Sequence, residues 1–333
     1  MNLRHIAICI ALLGSLADIA VKADTPLMTA GTPVVVPGGP GHFDWMTIDA
    51  PRHRLLASHP GKGTLVVYDL KTGNLKQLDT DGEVNGEAID EVDSKLFVAG
   101  GNQKVVVFDL RTLTKIGEIP LTGPADSIEF DPKNGTLYVD HDDGSEIWAI
   151  SGKSEKVTGI VTIAGTPEAL VYNPITDRLY QNIKPANCTQ VINPSTNTVE
   201  ATWSTAPMTS PHGLAIDTAA QRLFTAGQGK VDMIDMKTGT VLSTVGIAPG
   251  YVDQIAFDSA SRRLYCATSA KGTPASQISV VQETSDGSAA TLLGIVTTPK
   301  GMHTLAVDPG SQAVWISYAD DKDSFVEKLT VSR

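Results

Sequence analysis

A chain of 333 residues that is 41% hydrophobic has the length and apolar content for a large buried core, which excludes a disordered chain. Its 26 basic against 37 acidic residues give a net charge of −11, a balance that repels phosphate and disfavours nucleic acid and anionic lipid as partners. With 5% aromatic residues, 19% charged residues and 30 glycines, the composition also argues against a helical bundle.

The first residues read as an address. Arg4 precedes a short apolar run from Ile6 to Gly14, and small residues follow. This is the pattern of a secretory signal peptide over residues 1–23, with cleavage after Ala17 or Ala23, and its apolar core is too short to span a bilayer. The expectation is an exported protein, periplasmic or secreted, with no membrane span and a single domain over residues 24–333.

From Asp44 onward one pattern repeats seven times. An apolar alternation ends in Asp or Asn, a turn follows, then Arg/Lys-Leu-aromatic opens a second alternating run, as in DWMTIDAPRHRLLAS and VDQIAFDSASRRLYC. The closing polar residues are Asp49, Asp90, Asp131, Asn173, Asp217, Asp258 and Asp308, at spacings of 41, 41, 42, 44, 41 and 50 residues. In the second copy the predicted strands are Glu87–Ile89, Lys95–Ala99, Lys104–Asp109 and Lys115–Ile119. Four-stranded units of this period, without any helical periodicity, are propeller blades. The fold class is therefore all-β, one seven-bladed β-propeller. The last copy ends after its third strand (Phe325–Val331), so Pro33–Val36 is predicted to supply the missing outer strand and seal the ring. Along the innermost strands, mostly small residues (Ala88, Ala215, Ala256, Ala306) alternate with large ones (Ile89, Ile216, Phe257, Val307), which predicts that each blade presents bulk to its neighbour's small face.

The recurring Arg-Leu-Tyr/Phe strand, and third strands followed by a turn such as Val66-Val67-Tyr68-Asp69-Leu70-Lys71-Thr72-Gly73, resemble the YVTN-repeat, or YncE-like, bacterial propellers over roughly residues 33–333. The resemblance implies architecture and brings no established reaction. The literal Tyr-Val-Thr-Asn is absent; Tyr138-Val139-Asp140-His141 comes nearest. More distantly the plan is similar to gluconolactonase and virginiamycin B lyase propellers, which use a metal or polar residues at the central cavity.

Five residues before each closing position lies the predicted channel mouth, occupied by Asp44, Asn85, Asp126, Glu168, His212, Asp253 and His303. Oxygen and imidazole ligands converging on one axis suit a divalent ion such as Ca²⁺, Mn²⁺ or Zn²⁺, with His212, Asp253, His303 and Glu168 as the expected set; a wet channel would also favour polar residues. His42, Asp44, Asn85, Asp126 and Tyr318 are expected to contact a ligand. Five histidines (His42, His59, His141, His212 and His303) map to this same face. Glu87 stands in a column otherwise made of Met46, Ile128, Leu170, Leu214, Ile255 and Leu305. A lone buried carboxyl there would have a raised pKa, so Glu87, with His59 or His141, is the candidate proton carrier, unless it is simply paired with a neighbouring blade.

Phosphate-loop, nucleophile-elbow, zinc-protease and Cys-x-x-Cys motifs do not occur, and neither a nucleotide nor a flavin is expected. Cys188 and Cys266 fall in non-adjacent copies, which favours two buried thiols over a disulfide. Two readings stand: a monomeric binding module taking a small molecule, metal or partner protein at its top face, or a metal-dependent, lactonase-like hydrolase or lyase using the same mouth.

Overall fold

The computed structural model describes residues 26–269 and 275–332. The predicted signal segment lies outside the described residues. Seven antiparallel sheets surround one axis; six take their four strands in chain order from the inside outward, and the seventh receives its outer edge from the N-terminal segments Met28–Ala30 and Val34–Val36. The second blade has strands Glu87–Asp90, Lys95–Gly100, Lys104–Asp109 and Lys115–Pro120, three of the four predicted strands being extended by one residue at the far end. Among the described residues no helix is long and apolar enough to cross a membrane.

The repeated closing residue has a local cause. Each of the seven accepts hydrogen bonds from the backbone amides that follow it, for example Asp90 Oδ1 from Val92 N at 2.9 Å and Asp217 Oδ1 from Ala219 N at 2.8 Å. The side chain thus replaces backbone partners where the chain reverses. The turn closes on a left-handed residue just before the second strand: His53, Ser94, Gly135, Asp177, Gln221, Arg262 or Gln312. Much of the acidic composition is turn chemistry of this kind.

Between blades, the alternation of small and large residues becomes packing. Ala88 lies in one buried cluster with Phe130 of the next blade, Ala215 packs with Phe257, and Ala306 with Ile48. The rings of Phe97 and Phe130 stack at 6.2 Å, and those of Phe224 and Phe257 at 5.2 Å. A small side chain on one strand leaves the space that a neighbouring ring fills.

The ring closes with both ends of the chain. Val34–Val36 pairs with Val326, Phe325 and Ser324, as the sequence predicts, and Met28–Ala30 extends the same edge against Val331, Thr330 and Leu329. Gly31 joins the two segments, and a Cβ there would stand 2.7 Å from the Lys328 carbonyl oxygen. Cys188 and Cys266 are buried free thiols.

Candidate functional site: an acidic channel mouth

Where the innermost strands begin, six blades each contribute one side chain to a cavity of about 350 Å³: Asp44, Asn85, Asp126, Glu168, His212 and Asp253. Six of the seven predicted mouth residues therefore share one wall. The seventh, His303, reaches the group from the side, with Nε2 3.5 Å from Asp253 Oδ2 and Nδ1 2.8 Å from the Gly301 carbonyl oxygen.

Four of the acids and bases form a chain of ion pairs. The His212 imidazole lies between two carboxylates, Nδ1 2.5 Å from Glu168 Oε2 and Nε2 2.5 Å from Asp253 Oδ1. Lys184 Nζ donates to Glu168 Oε1 at 2.6 Å and to Tyr251 Oη at 3.0 Å, and the Tyr251 ring packs edge-on against the imidazole. Burial alone would push the His212 pKa down, but the bonds to Asp253 and Glu168 raise it to about 10. Burial would likewise raise Asp253, yet His212 holds it below the ordinary carboxylate range. With both ring nitrogens held by carboxylates, the ring is an imidazolium at neutral pH in this arrangement. Among the described residues no group of three or more His, Cys, Asp or Glu stands where it could hold a metal ion. Glu168, His212, Asp253 and His303, the set expected to hold a metal, do come together, joined here as a chain of ion pairs.

Asp44 and Asp126 are different. Both carboxylates face the cavity with no hydrogen-bond or ion-pair partner among the described residues. Burial first, and then the charge of neighbouring acids (Asp253 for Asp44, Asp44 for Asp126), holds each well above the usual range. Glu83 and Asp142 add two more acids to the wall, against the two bases Lys184 and His212. Asn85, the uncharged member of the ring, acts as a staple: its Nδ2 donates to the Ala125 carbonyl at 2.9 Å and ties the second blade to the third.

The remaining predicted residues are not gathered at this cavity. His59 is 0% exposed, stacked on Phe43 at 4.2 Å, and its Nε2 lies 3.1 Å from Ser324 Oγ. Burial pushes its pKa down to about 4, so it is a neutral packing group under the Gly38–Gly41 loop. His141 sits over Trp148 with Nε2 3.2 Å from Asp143 Oδ1. His42 is exposed at the rim, outside the wall. Tyr318 is 8% exposed, stacked on Phe325, and donates to Glu327 Oε2 at 2.9 Å. Glu87 belongs to a second cavity further down the channel. The three predicted proton carriers therefore occupy three separate places.

Lys184, Tyr251, Glu83 and Asp142 are wall residues that the sequence pattern does not single out. A signal existed for two of them. Asp142 and Lys184 each stand one residue beyond the repeat position held by His59 and His141.

The sequence matches no protein-family model and no curated protein. Solved structures match across the fold. A structure of U3-55K aligns with a TM-score of 0.75 at 8% identity, covering 89% of this chain and 98% of that one. The RRP9 WD40 repeats align at 0.75 and 8%, covering 90% and 99%. A chain of a mitotic checkpoint complex aligns at 0.74 and 15%, covering 98% and 99%. Identities this low carry the architecture alone. By its own strand order and by these likenesses, the chain is a seven-bladed β-propeller, similar in fold to WD40 propellers.

Proposed function

We propose that this protein is an exported binding propeller whose channel mouth takes a small organic cation, such as a diamine or a guanidinium compound. One observation carries the reading: the Asp44 and Asp126 carboxylates face a cavity of about 350 Å³ with no partner of their own. A desolvated carboxylate without a counter-charge is costly, and a bound ammonium or guanidinium group supplies that charge and hydrogen bonds together. A divalent ion needs oxygens within about 2.0–2.6 Å of one centre, whereas the cavity is sized for a molecule. The Lys184–Glu168–His212–Asp253 chain then serves as a rigid wall, its acids already neutralised. Arg4 with the Ile6–Gly14 run, and the YVTN-like third strands, support an exported setting.

Titration calorimetry of the full chain with putrescine, arginine methyl ester, and Ca²⁺, Mn²⁺ or Zn²⁺ salts tests this. Saturable binding of an organic cation, weakened at least about tenfold in Asp44→Asn or Asp126→Asn, is the expected result. Stoichiometric binding of a metal alone, lost on His212→Ala, would return the site to a metal centre and open the hydrolase reading.

A further inference from the structure

The axis of the ring is partitioned. Trp45, at the entry of the first blade, and Ile128 of the third line both the mouth and a lower chamber of about 480 Å³. The wall of that chamber comes from the first three blades and the last two; among the described residues, the fourth and fifth blades contribute nothing to it. Trp45 accounts for the gap. Its half-buried side chain packs against the cluster of those two blades, which holds Ala169, Val171 and Leu214 of their innermost strands. In a ring of seven, the fourth and fifth blades stand opposite the first, so the side chain crosses the axis.

The partition is held from both sides. Trp45 N donates to Ser58 Oγ at 2.8 Å, and the Trp45 carbonyl accepts from Ser58 N at 2.9 Å. Ser58 is 0% exposed and donates in turn to the Asn85 carbonyl at 2.6 Å, which ties the indole's backbone to the second blade. Ile128 lies over Gly86, where a Cβ would stand 2.9 Å from its Cγ2, so a residue without a side chain gives it room. Acids stand on both sides of this floor. Asp44 and Asp126 line the mouth above it. Glu129 follows Asp126 by three residues on one strand, lines the chamber below, and has no partner among the described residues. At about 3.3 Å per residue, Asp126 and Glu129 are roughly 10 Å apart along the strand. Putrescine does not bridge that span, and an extended spermine does.

We propose that Trp45 is the specificity-determining residue of the mouth: its indole floors the site, which therefore takes short organic cations lying across Asp44 and Asp126 and denies longer ones the channel beneath. This rests on the reading of the mouth as an organic-cation site. With the indole gone, mouth and chamber join, and a polyamine anchored at Asp126 reaches Glu129 with its next ammonium group. A bound cation also has the indole beneath it, so its arrival changes the surroundings of one tryptophan. The other three, Trp148, Trp203 and Trp315, line neither cavity.

The test is calorimetric titration of the full chain with putrescine and spermine, in the native protein, Trp45→Ala, Glu129→Gln and the double variant. Glu129→Gln alone should leave both affinities within about twofold, because the floor keeps either ligand from that acid. In Trp45→Ala the affinity for spermine relative to putrescine should rise at least about tenfold, and adding Glu129→Gln should remove the rise. Fluorescence supplies a readout in the intact fold. Putrescine should shift the tryptophan emission of the native protein, while Trp45→Phe, which keeps an aromatic floor, should still bind it and show no shift. Absence of saturable putrescine binding to the native protein defeats the reading of the mouth itself. With putrescine bound, an unchanged spermine preference in Trp45→Ala overturns the role of Trp45. So does a loss of spermine affinity in Glu129→Gln alone, or an emission shift that survives in Trp45→Phe; these two decide the matter where Trp45→Ala does not fold.

Discussion

Replacing Glu87 by Gln should make the protein more stable as the pH rises, by an amount the structure sets. Burial, opposed by the Thr47 hydroxyl, raises the Glu87 pKa from 4.5 to about 8. The folded chain therefore holds a proton that the unfolded chain releases. Stability from this group is complete below about pH 4.5 and is lost progressively as the pH climbs to about 8. At about 1.4 kcal/mol per pKa unit, the ceiling on that loss is roughly 5 kcal/mol. Gln keeps the shape of the protonated acid and cannot ionise. Chemical denaturation of both proteins in steps from about pH 5 to about pH 9 should give curves that diverge, with the variant gaining roughly 2–5 kcal/mol by the alkaline end. High salt should leave the gap in place, because desolvation, not charge–charge repulsion, is its main source. Parallel curves across this range would refute the reasoning, since they would mean that Glu87 ionises inside the fold at no cost.

The His212 clamp titrates in the opposite direction. Its raised pKa adds stability that is complete below about 6.5 and disappears as the pH rises through about 10. His212→Gln should therefore cost about 3–5 kcal/mol near neutrality, where Glu168 and Asp253 lose their shared counter-charge, and less above pH 10, as denaturation midpoints would register. Phe97→Ala, which empties a fully buried position between two blades, should cost about 3–5 kcal/mol by the same measurement. Gly31→Val should destabilise the ring closure by at least about 1–3 kcal/mol, because its side chain would meet the Lys328 carbonyl, and hydrogen exchange should quicken first along Ser324–Val331. Cys188 and Cys266 should resist thiol reagents until denaturant is added, and no disulfide should form between them.

What the sequence made legible follows from what is local. Each closing Asp or Asn bonds amides two or three residues away, so its role is written within one turn and recurs at a countable spacing. The alternation of Ala88 with Ile89 encodes inter-blade packing for the same reason: strand faces alternate with fixed period. Six mouth residues could be placed together because rotational repetition carries equivalent positions to one axis. The chemistry across the mouth could not. That His212 is clamped between Glu168 and Asp253, and that Lys184 meets Tyr251, depends on loop paths and side-chain reach between neighbouring blades, which no single repeat contains. That the Phe43 ring covers His59 is likewise a matter of packing that its repeat position does not contain. Glu87 stood out in an apolar column. Glu129 breaks a column of small residues in the same way, yet their meeting in one chamber depends on the tilt of two strands.

The seam between Val34–Val36 and Ser324–Val331 also sets an order of events during synthesis. Six blades find all their strands in segments made just before or after them, so each can assemble as the chain emerges. The seventh cannot. Its outer edge is among the first parts of the described chain to be made, and must wait, unpaired, until the last strand leaves the ribosome. A chain interrupted before Ser324 would therefore expose edges at both ends of the arc at once, an arrangement suited to pairing with a second unfinished copy. Completion of this eight-residue strand is what converts an open, adhesive arc into a closed ring, in which the seventh blade has its full set of strands.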